Sequence, residues 1–476
     1  MENITNILET RLFINGEYVD SKANERLSCY NAIDQTLVTS DVHTATKEDI
    51  DLAVAAARTA FTGWSSTPPQ ARARILNKFA DLLEEHTEQL SLLERTCSGQ
   101  PMQAMRSVFI PNASTRIRYS AGWSDKIAGE SFPAGNGFLK IVQREPLGVC
   151  AAITAFNAPL MFMAAKVGPC LAVGNTVILK PSEKTPLSTL YLGRLVKEAG
   201  FPPGVFNIVG GAGATGAFLA EHMGIDRISF TGSLATGKKV AEAASRSNLK
   251  RVGLELGGKS PSIIFADANL DNAVQWCTRG IVTASGQMCN ASSRVYVHED
   301  IKEEFLQRMK NAFEGIDLSQ TQAPVIDQIQ LARVERYIEQ GNKEASLLTG
   351  GTRMEKPSWM RPTIFVDPSP DATIYKEEIF GPVVVISSFT DEQTVVAKAN
   401  DSIYGLHSAV FTQDINRAMR LSSKVSSGTV CINCTVMVDV ALPFGGCRQS
   451  GWGREGGKIG MEEWTEPKTI FVNLTY

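Results

Sequence analysis

The chain has 476 residues, of which 43% are apolar and 20% charged. Its 47 basic and 50 acidic residues leave a net charge of −3, which excludes the broad basic face of a nucleic-acid or anionic-membrane binder. Nine cysteines at irregular spacing in a chain long enough for two or three domains do not make a disulfide framework, and point to reduced thiols in an intracellular protein.

The first twenty residues have neither a basic n-region nor an apolar h-region, so no signal or transit peptide is expected and a cytoplasmic location is read. Asp49 to Phe61 and Ala71 to Leu93 read as amphipathic helices, the second from Ile75, Phe79, Leu82 and Leu83 at helical spacing. Gly137 to Arg144 alternates like an exposed strand. The longest apolar stretch, Val149 to Leu179, is interrupted by Asn157, Pro159, Lys166 and Asn175, so it reads as strand, loop and helix rather than a membrane span. Gly174 to Lys180 is a turn and strand, and Thr185 to Ala199 a helix stopped at Gly200. Strands at 206–209 and 227–230 and a helix over 236–245 continue a βαβαβ rhythm to about residue 256. A second set of strands follows at 263–265, 295–297, 363–366, 383–389 and 430–433, and a last one at 469–474.

The expected fold is α/β. A Rossmann-like cofactor domain takes 1–124 and 146–256, and an α/β catalytic domain 257–446. A small β arm for oligomerisation takes 125–145 and 465–476.

Several local patterns carry chemistry. Cys289 lies in Ser285-Gly286-Gln287-Met288-Cys289-Asn290, and a thiolate there would be a nucleophile. Glu255 lies in Leu254-Glu255-Leu256-Gly257-Gly258, where a carboxylate can act as a base. Alone, the first could be core packing and the second a loop charge. Asn157, in an apolar run, needs a reason, because an unpaired buried amide is costly; its NH2 could donate to an oxyanion. Pro443 to Gly451 is a glycine-rich loop too elaborate for a simple turn. Gly211-x-Gly213-x-x-Gly216 fits a phosphate-binding fingerprint, yet no acidic residue follows at a convincing distance, so it reads as a turn. Cys431-x-x-Cys434 has no second ligand pair, which leaves core packing and no metal site.

Taken together, these segments resemble the aldehyde dehydrogenase superfamily. The resemblance also covers Phe230-Thr231-Gly232-Ser233 and Glu377-Glu378-Ile379-Phe380-Gly381-Pro382, and it extends over essentially the whole chain. It implies Cys289 as nucleophile, Asn157 with the Cys289 N–H as oxyanion hole, and Glu255 as general base. Lys166 corresponds to a proton-relay lysine, or is merely a lysine of an amphipathic helix. Cofactor binding is implied for Lys180, Ser182 and Glu183 at the adenosine ribose, for Gly232, Ser233 and Gly237 at the pyrophosphate, and for Glu378 and Phe380 at the nicotinamide ribose. NAD is expected over NADP because the Glu183 carboxylate suits two ribose hydroxyls and repels a 2′-phosphate, although nearby Lys180 offsets part of that repulsion.

The reaction implied is oxidation of an aldehyde to its carboxylic acid through a thiohemiacetal and a thioester. Where many members carry bulky residues, this chain has Ala155, Ala158 and Ala165, and Thr435 to Ala441 lacks aromatics. A bulky or aromatic aldehyde is therefore expected. A coenzyme A-dependent acyl-transferring member would commonly lack Glu255, and a non-catalytic descendant would be expected to lose Cys289, Glu255 or Asn157. The expected partners are a small-molecule aldehyde and further copies of the chain, as homodimer or homotetramer.

Overall fold

The computed structural model describes residues 4–317 and 323–475. Residues 1–3, 318–322 and 476, which the divisions expected from sequence include, lie outside the described residues. The chain is α/β as expected, built on two large, mostly parallel sheets and two small antiparallel ones.

The first large sheet has eight strands, in the spatial order 451–452, 251–255, 227–231, 149–153, 176–180, 206–208, 12–14 and 17–19. Its five central strands run parallel. Val149–Ile153 and Thr176–Lys180 are buried along their whole length, as strands covered on both faces must be. The second sheet has seven strands, in the order 346–349, 363–366, 383–389, 294–298, 261–264, 407–411 and 429–432. The short strand Gly451–Trp452 pairs antiparallel with Arg251–Glu255, so the glycine-rich segment after the second sheet folds back onto the first.

Three elements differ from expectation. The helix expected over 71–93 is two, Pro69–Glu85 and Thr87–Ser98, broken at His86, whose φ of −96° and ψ of 21° leave the helical region. The His86 ring is tied to the Tyr191 hydroxyl at 2.7 Å, and this tertiary contact holds the break. Gly211 to Gly216 is not a plain turn: after Gly211 at φ +142° the chain opens the helix Gly213–Glu221. The strand His407–Phe411 was not expected, because a short apolar run carrying His407 and Ser408 gives no clear alternation.

Phe138–Pro146 pairs along its full length with Thr465–Asn473, and Glu130–Gly135 adds a third strand. Phe132, Phe138, Phe471 and Val472 are exposed on this sheet.

Candidate active site

Parallel strands deliver their carboxyl ends to one edge, and the loops that follow them form a crevice there. Register places Ile153 beside both Lys180 and Phe230, and Thr231 beside Glu255. The segments carrying Asn157, Lys180 to Glu183, Gly232 to Ser233 and Glu255 therefore emerge side by side. They border a cleft of about 820 Å³ that Cys289, Glu378 and Phe380 close from the second sheet. Ten of the twelve expected site residues line it. Gly237 and Lys166 do not. Gly237 packs under Leu256, which a Cβ would meet at 2.5 Å, and Lys166 lies fully buried.

The loop before Cys289 is held in an unusual conformation. Ala284 and Ser285 adopt φ of +52° and +54°, a left-handed conformation that costs a non-glycine residue energy. Buried Gln287 fixes the loop. Its amide donates to the carbonyls of Ala284 at 2.9 Å and Pro324 at 3.0 Å, and its oxygen accepts from Ile326 N at 2.9 Å. The Ser285 hydroxyl donates to the Ala323 carbonyl. Asn157 Nδ2 donates to the Gln287 carbonyl at 2.9 Å, which orients one amide proton and leaves the other for a ligand.

The electrostatics are those of a dry site holding several carboxylates. Burial, then Glu255 and Glu378, push the Cys289 thiol well up. Burial and Glu455 push Glu255 well up, against the opposing pull of Lys166 and Arg454, and Glu255 Oε1 has no hydrogen-bond partner. Lys166 Nζ pairs with the Glu455 carboxylate and donates to Ser229 Oγ at 3.0 Å. The helix carrying it, Pro159–Ala172, is buried on nearly all sides, so Lys166 is not a lysine on a solvent-facing stripe. Glu455 is the residue that sequence reasoning misses. Its signal is a carboxylate set among Gly453, Gly456 and Gly457, just past the loop at 443–451.

The long part of the cleft fits a dinucleotide. Two helices, Gly213–Glu221 and Leu234–Arg246, begin on it, and helix starts offer free N–H groups to phosphate. Ser233 caps the second by accepting from Thr236 N at 3.3 Å. Gly232 is tight against the Phe230 ring, where a Cβ would stand at 2.5 Å. Lys180 Nζ, nearly buried, donates to the Pro181 carbonyl at 3.0 Å and lies 4.0 Å from Glu183; burial pulls its pKa down to about 8. Ser182 Oγ accepts from Lys184 N at 3.3 Å. Glu378 accepts from Gly258 N at 3.0 Å, and burial pushes it up to about 7. Phe380 takes φ +57°, with its carbonyl held by Gln330 Nε2 at 2.9 Å and its ring against Phe156 at 5.7 Å.

Among the described residues no helix is long and apolar enough to cross a membrane. Comparison with known proteins gives a consistent answer. The chain is 43% identical to aldehyde dehydrogenase 1A1 of Ovis aries, over 98% of this chain and 95% of that protein. It is 45% identical to retinal dehydrogenase 2 of Homo sapiens, over 98% and 92%. It superposes on PnpE from Pseudomonas sp. WBC-3, solved in complex with nicotinamide adenine dinucleotide, with a TM-score of 0.95 at 39% identity, covering 98% of each chain. The model of the aldehyde dehydrogenase family matches residues 18–470, and the chain belongs to that family of NAD(P)-dependent oxidoreductases acting on aldehydes.

Proposed function

We propose that this enzyme oxidises a bulky or aromatic aldehyde with NAD as the preferred acceptor, using Cys289 as nucleophile. The observation that carries the reading is that Asn157, Glu255 and Cys289, from three separate segments, border one cleft beside Glu378. The Cys289 thiol gives its proton to the Glu255 carboxylate and attacks the aldehyde carbon. The alkoxide of the hemithioacetal is met by the free Asn157 N–H and the backbone N–H of Cys289. The dinucleotide, when bound, supplies the acceptor for the hydride that leaves this carbon. Glu255 passes the thiol proton on towards Lys166 and Glu455, and as a carboxylate again it takes a proton from water as that water attacks the thioester, so that the Cys289 thiolate leaves and the acid departs. Lys166, paired with Glu455 behind Glu255, offers the onward path for that proton.

Lys180, Ser182 and Glu183 hold the adenosine ribose, Gly232, Ser233 and Gly237 shape the pyrophosphate turn, and Glu378 and Phe380 place the nicotinamide ribose. NAD is favoured by the half-exposed Glu183 carboxylate in the cleft, and by a structural neighbour, PnpE, that is solved in complex with nicotinamide adenine dinucleotide. A bulky substrate is favoured by Ala155, Ala158 and Ala165, and by the relative named as a retinal dehydrogenase.

The domain division proposed is 1–124 with 146–256, 257–446, and an arm of 125–145 with 465–476. The exposed Phe138 and Phe471 on the arm support a homodimer or homotetramer. All nine cysteines are unpaired, which supports a cytoplasmic location. The test is a panel of aliphatic, aromatic and polyene aldehydes with NAD and NADP, read at 340 nm and by acid product, with Cys289→Ala as control. Turnover surviving Cys289→Ala, or a preference for acetaldehyde over every bulky aldehyde, overturns the corresponding part.

A further inference from the structure

A buried guanidinium in this fold has no carboxylate of its own. Arg116, on the helix Ile110–Gly122, is 9% exposed. Its Nε has no hydrogen-bond partner, and among the described residues no ion pair reaches it. The carboxylates facing it are Glu455 and Asp439. Glu455 is already committed to Lys166, and an Asp439 oxygen accepts from Ala441 N at 2.7 Å. A buried charge left without a close partner is costly, so a chain that keeps one there is holding it for something.

The position says for what. Ser120, one turn after Arg116, meets Gly168 so closely that a Cβ there would stand 2.8 Å from Ser120 Oγ. Arg116 thus sits on the helix face packed against Pro159–Ala172, which carries Ala158 at its start and Ala165 and Lys166 along it. Asp439 lies in the segment 435–442. That segment leaves the thiol loop at Thr435, whose hydroxyl is 2.8 Å from Ser292 Oγ, and reaches the Glu455 segment where Gly457 N donates to the Val440 carbonyl at 2.9 Å. Arg116 therefore faces Glu455 and the Asp439 segment from this helix, and it is absent from the lining of the dinucleotide cleft. Met437, Val438 and Leu442 expose apolar surface on the same segment.

We propose that Arg116 receives a carboxylate carried by the aldehyde, so that the substrate class is aldehyde-acids whose acid group lies an apolar spacer away from the reacting carbon. A guanidinium can hold a carboxylate through two parallel N–H bonds, which fixes direction as well as charge. The apolar side chains of 437–442 and the small side chains of Ala158 and Ala165 accommodate the spacer. The inference rests on reading the Cys289 side of the site as the aldehyde site.

The test uses matched pairs: 4-carboxybenzaldehyde against benzaldehyde, and succinic semialdehyde against butanal. The wild-type enzyme is expected to favour the acid member of at least one pair by about tenfold or more in kcat/KM, chiefly through KM, equivalent to about 1.4 kcal/mol. Arg116→Met should collapse that ratio, and Arg116→Lys should restore part of it. A wild-type enzyme with no preference for either acid overturns the proposal, whatever the variants do. An Arg116→Met enzyme that loses both members of a pair equally also overturns it, and assigns Arg116 to charge balance with Glu455 and Asp439. Should Arg116→Met fail to fold, the wild-type ratio and Arg116→Lys decide. Activity that survives Cys289→Ala would sink the underlying site reading instead, which keeps the two failures apart.

Discussion

Gly258 lies so close to the thiol loop that a Cβ on it would stand 2.3 Å from the carbonyl oxygen of Cys289. This contact joins the segment after Glu255 to the segment of Cys289, and sets the carboxylate and the thiol against each other. Gly258→Ala must push one backbone off the other. We expect a loss of stability of about 1–3 kcal/mol and a larger proportional loss in kcat. Gly63→Ala is the control, since nothing lies within 4 Å of its Cβ position in the helix Lys47–Ser66. That change should be neutral or stabilise by about 0.5–1 kcal/mol. Thermal unfolding and NADH production on the two variants check both statements; equal behaviour would mean the close approach does not constrain the site.

Glu255→Gln separates two roles of one carboxylate. Glu255 pushes the Cys289 thiol up, so removing its charge should let the thiol ionise at lower pH. The rate of iodoacetamide alkylation against pH should show its midpoint moving down. The same variant lacks the base for thioester hydrolysis, so NADH should appear as a burst of about one per site followed by slow turnover. An unmoved alkylation midpoint with unchanged turnover would make Glu255 a structural residue.

Asn157→Ala should lower kcat by roughly 10²–10³, the usual loss for one oxyanion donor. It also removes the bond to the Gln287 carbonyl, so part of that loss could come from the thiol loop moving. Asn157→Asp distinguishes the causes. It keeps the shape, cannot donate when ionised, and places a negative charge against the developing alkoxide, so it should be at least as poor as alanine. If Asn157→Asp retains more activity than Asn157→Ala, positioning of the loop outweighs donation.

Much of this site is legible in the sequence because its residues sit beside glycines and prolines whose geometry admits few alternatives. Glu255 precedes Gly257 and Gly258, and Glu378 and Phe380 precede Gly381-Pro382. The strands 363–366 and 383–389 are equally plain, as apolar runs ended by turn residues. What stays hidden depends on contacts between distant segments. The break at His86 is held by Tyr191, 105 positions away, and nothing near His86 announces it. Lys166 reads equally well as surface or relay until Glu455, 289 positions on, is seen against it. Gln287 sits inside a recognisable segment, yet its three bonds to Ala284, Pro324 and Ile326 come from the fold alone.

Choice of dinucleotide should depend on pH, with Lys180 as the sensor. Its ammonium titrates near 8, so it carries charge below that pH and loses it above. Glu183, 4.0 Å away and half-exposed, repels a 2′-phosphate, and the charged lysine offsets part of that repulsion. The 2′-phosphate is already fully ionised above pH ~7, given a second pKa near 6. As pH rises through 8 the attraction fades while the repulsion stays. The NADP-to-NAD ratio of kcat/KM, measured at fixed aldehyde, should therefore fall between neutral and alkaline pH. Lys180→Met should flatten that dependence at the low, alkaline value of the ratio. Glu183→Gln should raise the ratio at every pH, by roughly two- to fivefold, the size of a half-exposed ionic contact. NAD should remain the better cofactor for the unmodified enzyme throughout. A ratio that rises with pH, or an unmodified enzyme that uses NADP as well as NAD, would show that a basic residue other than Lys180 reads the phosphate. Lys184, Lys239 and Arg246 line the same cleft and would be the next to substitute.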